Sequence, residues 1–283
     1  MLNKVSIALA AAVAGSMLGV MPGFAQVEYS QDSFTDGVNG NVNGTNSAFE
    51  LYGTGFKQEG SHLIIGISSN LPFGGAPFSG VRNGTVAWGD MFFNFSPDQN
   101  FEDALADGHV YGVRFAGAND SPVDVGVYQV KSVQSVSAFN QGFASLSAYL
   151  SNSGTQNPTL GNVYDLDDAA FSYLPQNKSD NIINTVTGGS LSDVEKLNDL
   201  ELSSYGFDFD SNLAQTGSQT YGFKFDASKL PGGKFIAHLW AECFNEGTAF
   251  EGEVASVPEP TSAAALAVVG ALAWTRKRKA NKA

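Results

Sequence analysis

The feature that most constrains the fold is a series of short aromatic-rich runs separated by glycine- and asparagine-rich turns. In the run from His62 to Ile67, residues Leu63, Ile65 and Ile67 share one face. The run 85–95 is dense in aromatic residues, and the chain contains 32 glycines and 21 phenylalanines. This pattern predicts an all-β fold, either a β-sandwich or a jelly-roll-like domain, with a few short helices.

An internal repeat supports the same class of fold. The run Tyr-Gly-Phe-Asp-Phe-Asp at 205–210 recurs as Tyr-Gly-Phe-Lys-Phe-Asp at 221–226, and both alternate aromatic with small or charged residues. We expect a hairpin whose aromatic face covers a core. An exposed aromatic surface that stacks on sugars is the alternative, and Trp88 and Trp240 are further candidates for glycan stacking.

Capping patterns predict where the short helices begin. Ser96-Pro97-Asp98-Gln99 predicts a helix that runs to Ala106. Ser192-Asp193-Val194-Glu195 matches a capping box and predicts a second helix. Helical spacing of apolar residues over 140–150 predicts a third.

Charge and cysteine content narrow the classes of partner. The chain has 28 acidic and 15 basic residues, of which 27 and 9 lie in residues 26–256, so that part has a net charge of −18. Such a charge argues against nucleic acid or an anionic membrane as a partner, favours solubility and leaves room for divalent cations. Cys243 is the only cysteine, so no internal disulfide is possible, and we expect its side chain to be buried.

Residues 1–25 have the order of a secretory signal peptide. Lys4 provides the positive start, 7–21 is an almost continuous apolar run, and small residues precede a cleavage site after Ala25. We therefore expect the Sec translocon and signal peptidase as partners, and a single β-rich extracellular domain over 26–256.

The last segment, 257–283, has three parts in a fixed order. A Pro-Glu-Pro motif is followed by 12 mostly apolar residues from Ala263 to Trp274 and then by a basic stop. As a helix the apolar part spans roughly 18 Å, which is short for a bilayer core of about 30 Å. The motif and the cytoplasmic stop consist of Pro258, Glu259, Pro260, Arg276, Lys277, Arg278 and Lys279.

This tail resembles the PEP-CTERM sorting signal that exosortases read in bacteria with an outer membrane. The resemblance implies an exosortase partner and cleavage near the Pro-Glu-Pro motif. It also implies a transient stay in the inner membrane, followed by release to the cell surface or the extracellular matrix. An ordinary membrane anchor is the alternative.

A series of motifs between 85 and 250 resembles a cyanobacterial family of exosortase-dependent surface proteins. The series runs from Trp88-Gly89-Asp90 through 111–116 and 140–143 to Trp240-Ala241-Glu242-Cys243. The family has no assigned activity, so the resemblance implies no catalytic residue. In the family the Glu-Cys pair is usually followed by Gly-Asn-Asp, whereas this chain has Phe244-Asn245-Glu246.

Signals of known chemistry are weak. The chain contains no Walker loop, His-Glu-x-x-His or Cys-x-x-Cys motif, so we expect no catalytic activity and no obligatory cofactor. Asp165, Asp167 and Asp168 form an acidic run that either binds Ca²⁺ or is a solvated turn. We expect most other carboxylates to be solvated in turns and on outer strand faces.

These observations favour a non-enzymatic, exported surface or extracellular-matrix protein. A carbohydrate-binding module that contacts extracellular polysaccharide is the alternative. A secreted glycosidase with a pair of catalytic carboxylates is less favoured.

Overall fold

The computed structural model describes residues 26–153, 159–162, 164–165 and 173–255. These residues form mostly antiparallel β-sheets with a few short helices, which confirms the all-β class. The predicted signal peptide (1–25) and sorting tail (257–283) lie outside the described residues. Within the described ranges, no helix is both long enough and apolar enough to cross a bilayer.

The strands and helices are short and alternate with turns throughout the chain. In chain order the strands are β1 (Glu28–Gln31), β2 (Val38–Asn39), β3 (Val42–Asn43), β4 (Leu51–Glu59), β5 (His62–Ser69), β6 (Ala76–Pro77), β7 (Thr85–Val86), β8 (Met91–Asn94), β9 (Val110–Arg114), β10 (Gly126–Gln134), β11 (Thr159–Leu160), β12 (Tyr164–Asp165), β13 (Ile182–Ser192), β14 (Val194–Asn198), β15 (Gln219–Asp226), β16 (Gly233–Trp240) and β17 (Gly247–Val254). The α-helices are α1 (Phe101–Ala106), α2 (Leu146–Ser153), α3 (Asp199–Ser204) and α4 (Phe209–Asn212), and 3₁₀ turns cover Gly44–Asn46 and Ser137–Asn140.

Most strands belong to two large sheets. The first has the order β1-β4-β5-β15-β14, and the second has the order β13-β10-β9-β8-β16-β17. Neighbouring strands in both sheets are antiparallel. Because β13 runs almost directly into β14, one continuous stretch forms an edge of both sheets.

Aromatic residues hold the two sheets together face to face. Phe56 of β4 contacts Phe235 of β16 with ring centroids 5.6 Å apart, and Phe93 of β8 contacts Phe225 of β15 at 6.0 Å. All four side chains belong to one buried cluster that draws residues from both sheets. The architecture is therefore that of a β-sandwich.

The outer faces of both sheets are also covered. On the first sheet, Leu202 of α3 and the aromatic ring of Phe207 pack over Ile64 of β5. On the second sheet, Phe101 of α1 and Tyr149 of α2 belong to a separate buried cluster. The central strands are consequently buried on both sides.

The predicted hairpin between 205–210 and 221–226 is wrong. Only 221–226 is a strand, within β15, while 205–210 forms a turn followed by the start of α4. Gly206 has a φ of +89°, which interrupts extended backbone. The Asp208 side chain then accepts a hydrogen bond from Ser211 N and caps α4.

The helix starts lie later than the capping patterns predicted. Helix α1 begins at Phe101 with Asn100 as its N-cap, and not near Pro97. The run 192–195 is not helical, because Ser192 ends β13 and 194–198 pairs with β15 as β14. The capping box that starts α3 is instead Asn198 with Glu201. The predicted helix over 140–150 is confirmed in part, since α2 begins only at Leu146.

Candidate functional site

Three acidic side chains from distant parts of the chain meet in the interior. Asp36, Glu50 and Glu246 each place one carboxylate oxygen within 4.8 Å of the others. All three residues have 0% of their surface exposed. We call these three residues the carboxylate cluster, and we treat it as a candidate metal centre.

The cluster forms where loops enter strands at one end of the sandwich. Asp36 lies two residues before β2, Glu50 immediately precedes β4, and Glu246 immediately precedes β17. A fourth buried acid, Asp32, follows β1, whose end lies beside the start of β4 because the two strands are antiparallel. The backbone amide of Val38 donates to the carbonyl of Asn245 at 2.9 Å, which ties β2 to the turn before β17.

Backbone amides satisfy only part of the capacity of these carboxylates. Gly37 N donates to Glu50 Oε2 at 3.0 Å, and Gly247 N donates to Glu246 Oε1 at 2.7 Å. Their second oxygens, Glu50 Oε1 and Glu246 Oε2, have no hydrogen-bond donor among the described residues. Buried acceptors of this kind are costly, because they have lost water without gaining a replacement.

The electrostatics of the cluster oppose full ionisation. Burial, and then the negative charge of Asp36, raise the pKa of Glu50 to about 8, while the Gly37 amide acts in the opposite direction. Burial and the charges of Asp36, Glu50 and Asp32 raise the pKa of Glu246 well above its usual range. Burial and then Asp36 likewise raise the pKa of Asp32.

Ion pairs in the described part of the chain do not relieve this repulsion. They join Lys178 to Glu102 and Lys224 to Glu195, both away from the cluster. The charges that act on the pKa of Glu246 are all negative. Within the described ranges Glu50 and Glu246 have no cationic partner, so each of them either retains a proton or shares a cation.

Aromatic side chains lie beside the cluster. The Tyr149 hydroxyl donates to the backbone carbonyl of Asp36 at 3.3 Å. Burial and then the charge of Glu246 raise the pKa of Tyr149 well above its usual range. Trp240 packs edge-on against Tyr149 at 5.3 Å and stacks on Phe244 at 3.9 Å. These rings exclude water from one side of the site.

Gly37 allows two of the carboxylates to approach each other. A Cβ atom at this position would lie 2.6 Å from Glu246 Oε2 and 2.7 Å from Glu50 Oε2, closer than real Cβ contacts. Any larger residue would push these side chains apart. The backbone at Gly37 is therefore part of the site, both through its amide and through its missing side chain.

The predicted glycan-stacking residues lie in the core. Trp88 is 0% exposed and Trp240 is 1% exposed, so the expectation that they form an exposed stacking surface is wrong. The indole N–H of Trp88 donates to the Tyr221 hydroxyl at 2.6 Å. Trp240 instead packs against Tyr149, whose hydroxyl donates to the backbone carbonyl of Asp36.

The predicted calcium residues remain a prediction. The backbone of Asp165 belongs to β12, where it pairs with Thr159. The Asp165 side chain, Asp167 and Asp168 lie outside the described residues. The sorting-tail residues lie outside them too: Pro258, Glu259, Pro260, Arg276, Lys277, Arg278 and Lys279.

Two other buried carboxylates, unlike the cluster, are well supplied with donors. Asp90 accepts from Ile183 N at 2.8 Å, Ser121 Oγ at 2.7 Å and Asn119 Nδ2 at 2.8 Å. Burial nevertheless raises its pKa to about 6. Glu242 accepts from the amides of Ala87 and Asp120, and burial raises its pKa to about 7. Both carboxylates fasten loops to the sheets, so their hydrogen bonds have a structural role.

Sequence reasoning missed the carboxylate cluster because it assigned the acidic residues to solvated turns. A usable signal was present at Glu50, which lies between the apolar residues Phe49 and Leu51. A charged residue between such neighbours has to point into a polar site or out to solvent. No pattern linked it to Asp36 or Glu246.

Comparisons of the chain with protein-family models, with curated proteins and with solved structures give no match.

Proposed function

We propose that this chain is an exported, non-catalytic surface or extracellular-matrix protein. It enters the Sec translocon through residues 1–25, loses them to signal peptidase and is held briefly in the inner membrane by its tail. An exosortase then processes it near Pro258. The observation that carries the proposal is the order of a Pro-Glu-Pro motif, an apolar segment and a basic stop within 257–283.

The extent of the folded domain supports this organisation. Strand β1 begins at Glu28, three residues beyond the expected cleavage after Ala25, and β17 ends at Val254, four residues before Pro258. The β-sandwich therefore occupies the interval between the two signals. Removing both would leave every described strand intact.

The carbohydrate-binding alternative rested on exposed aromatic residues. Trp88 and Trp240 are buried, and so are Tyr221, Phe223 and Phe225 of the repeat. These side chains are packed in the core and cannot stack on a sugar. The described residues therefore give no support to carbohydrate binding by these aromatic side chains.

Cell fractionation with intact-protein mass spectrometry tests the proposal in a bacterium that has an outer membrane and an exosortase. The wild-type protein should reach the surface or the medium without residues 1–25 and without the basic stop. A mature protein that keeps the tail 276–283 in the inner membrane would contradict the proposal.

A motif variant and a matched control make the test specific. Replacing Pro258, Glu259 and Pro260 together by Ala should leave the tail attached and the protein in the inner membrane. Replacing the neighbouring Thr261 and Ser262 by Ala changes the same stretch without touching the motif, and processing should then proceed as in the wild type. Equal processing of both variants would show that the motif is not the recognition element.

A further inference from the structure

We infer that the carboxylate cluster of Asp36, Glu50 and Glu246 is a binding site for one Ca²⁺ ion. The site uses none of the residues of the acidic run at 165–168 and does not depend on the export route. It lies inside the folded domain, between the entries to β2, β4 and β17.

The spacing of the oxygens fits a single Ca²⁺ ion. Ca²⁺ binds oxygen ligands at about 2.3–2.6 Å, so two of its ligands lie at most about 5 Å apart. The three cluster oxygens are within 4.8 Å of one another and come from three separate loops. One central ion can therefore contact all three side chains without a rearrangement of the strands.

A second observation points to a ligand independently of the count of acids. Glu50 Oε1 and Glu246 Oε2 are buried, belong to side chains directed into the cluster and have no hydrogen-bond donor in the described part of the chain. Glu246 Oε2 lies on the same side of Gly37 as Glu50 Oε2, so a cation held between the carboxylates would supply the interaction that Glu246 Oε2 lacks. The buried carboxylate of Asp90, by contrast, accepts three hydrogen bonds, and both of its oxygens have a donor.

The chemistry of the donors favours Ca²⁺ among the common cations. The three ligands are carboxylates without histidine or cysteine, which suits hard cations and not zinc or copper. Mg²⁺ requires near-ideal octahedral geometry and usually retains several waters. This site is buried and bordered by Tyr149 and Trp240, so a cation that accepts protein oxygens in flexible geometry fits better.

Further buried oxygens lie close to Glu246 in the chain. Asn245 Oδ1 and Thr248 Oγ1 have no hydrogen-bond partner among the described residues. Asn245 also binds the start of β2, directly after Asp36 and Gly37, because its Nδ2 donates to Val38 O at 2.9 Å. The residues that flank Glu246 in sequence therefore carry neutral side-chain oxygens without another described partner, which are candidates for further ligands.

Calcium titration of the full-length chain in mild detergent tests the site, after removal of metal with EGTA. Isothermal titration should give one strong Ca²⁺ site, with weaker binding of Mg²⁺. Ca²⁺ at about 100 times its Kd should raise the Tm by roughly 5–10 °C. A folded wild-type protein that binds no Ca²⁺ would overturn the inference and leave shared protons as the way the cluster is neutralised.

Isosteric variants locate the site. Glu50→Gln and Glu246→Gln should each weaken Ca²⁺ binding at least about tenfold, because each removes one charged ligand. Glu251→Gln removes the same charge from an exposed position on β17, and it should bind as the wild type does. Unchanged binding in both cluster variants would place any bound Ca²⁺ elsewhere, for example at 165–168, and would overturn the inference.

A spectroscopic measurement on the wild-type protein tests the site even if the variants fail to fold. Tb³⁺ occupies Ca²⁺ sites, and nearby tyrosine or tryptophan residues sensitise its emission. Tyr149 and Trp240 lie next to the cluster, so the wild-type protein should show sensitised emission that Ca²⁺ displaces. Absence of this emission from folded wild-type protein would count against the site.

Discussion

Single buried polar residues set much of the chemistry of this fold. His238 of β16 is 0% exposed and stacks on Phe92 at 5.2 Å, with the edge of Phe101 at 4.6 Å. Its Nδ1 shares a hydrogen bond with the Tyr173 hydroxyl at 3.1 Å. Burial lowers the pKa of His238 to about 3. The imidazole is therefore neutral in the folded protein over a pH range in which it is protonated in the unfolded chain.

This difference predicts that acid destabilises the fold through His238. The unfolded chain binds a proton near pH 6.5 and the folded protein binds it only near pH 3, so stability falls as the pH decreases between these values. At pH 4.5 the loss is about 2–3 kcal/mol. In urea denaturation, the change in the free energy of unfolding from pH 7 to pH 4.5 should be less favourable by this amount in the wild type than in His238→Phe.

Two comparisons isolate the histidine. Asp90 and Glu242 have raised pKa values and change stability in the opposite direction, but they are present in both proteins and cancel in the difference. His109→Gln, which alters an exposed histidine, should follow the wild type. An equal acid sensitivity of His238→Phe and the wild type would refute the prediction.

The hydroxyl of Tyr221 connects two buried groups. It accepts a hydrogen bond from Trp88 Nε1 at 2.6 Å and donates one to Leu71 O at 2.6 Å. Tyr221→Phe leaves both groups without this partner and should lower the free energy of unfolding by about 1–3 kcal/mol. Tyr111→Phe is the control, because no described residue bonds its half-buried hydroxyl, and it should change stability by less than about 0.5 kcal/mol. Similar values for both variants in urea melts would contradict this role.

At the scale of elements, the alternation of apolar residues predicted strand β5 well, but it did not predict that α3 and the following turn cover the outer face of the sheet. The run 62–67 is strand β5, with Leu63, Ile65 and Ile67 facing the central core as expected. Ile64 on the opposite face is also buried, because α3 and the turn after it lie over it. Alternation describes only one face of a strand, so it does not show that the second face is occupied.

The prediction that 205–210 forms a strand was wrong for a related reason. Its alternation is that of a strand, yet Phe207 and Phe209 serve as a lid that packs on glycines of β4 and β5. A Cβ atom at Gly66 would lie 2.8 Å from Phe207 and 2.9 Å from Phe209. The two glycines Gly55 and Gly66 leave a flat surface that accepts aromatic rings, and this tertiary fit overrides local strand preference.

Helix α3 offers a matched test of the cover over the first sheet. Leu202 is 0% exposed in this cover, whereas Leu200 on the same helix is 80% exposed. Leu202→Ala should lower the free energy of unfolding by about 2–5 kcal/mol, while Leu200→Ala should change it by less than about 0.5 kcal/mol. Comparable losses for the two variants in chemical denaturation would mean that α3 does not stabilise the sheet.

At the scale of the whole molecule, the sheets were predictable and the carboxylate cluster was not. The class of fold follows from the alternation of apolar residues and from turn residues, and both patterns can be read within about ten residues of sequence. The cluster joins Asp36, Glu50 and Glu246, and Glu246 lies almost 200 residues beyond Glu50. The pairing of β1 with β4, the packing of β17 against β4 and the hydrogen bonds between Val38 and Asn245 bring these positions together. The spacing of these residues in the sequence therefore does not predict that their side chains meet.

The single thiol provides a probe of whole-molecule opening. Cys243 is 1% exposed, which confirms the expected burial, and burial raises the pKa of its thiol to about 12. Its carbonyl accepts a hydrogen bond from Phe143 N at 3.0 Å, so the backbone is held as well. A neutral, buried thiol reacts only when the sandwich opens.

Labelling with a thiol-specific disulfide reagent should therefore report global stability. With an unfolded fraction of about 10⁻³ or less, native protein should react at least about 1,000-fold more slowly than protein in urea. Ca²⁺ should slow labelling further, because Cys243 lies on the turn that leads to Glu246 and ligand binding lowers the open population. Cys243→Ser provides the blank, and Glu246→Gln should reduce the Ca²⁺ effect at a given Ca²⁺ concentration while keeping the slow basal rate. Native labelling within tenfold of the rate in urea would show that this end of the sandwich opens locally, and the thiol would then report on the turn alone.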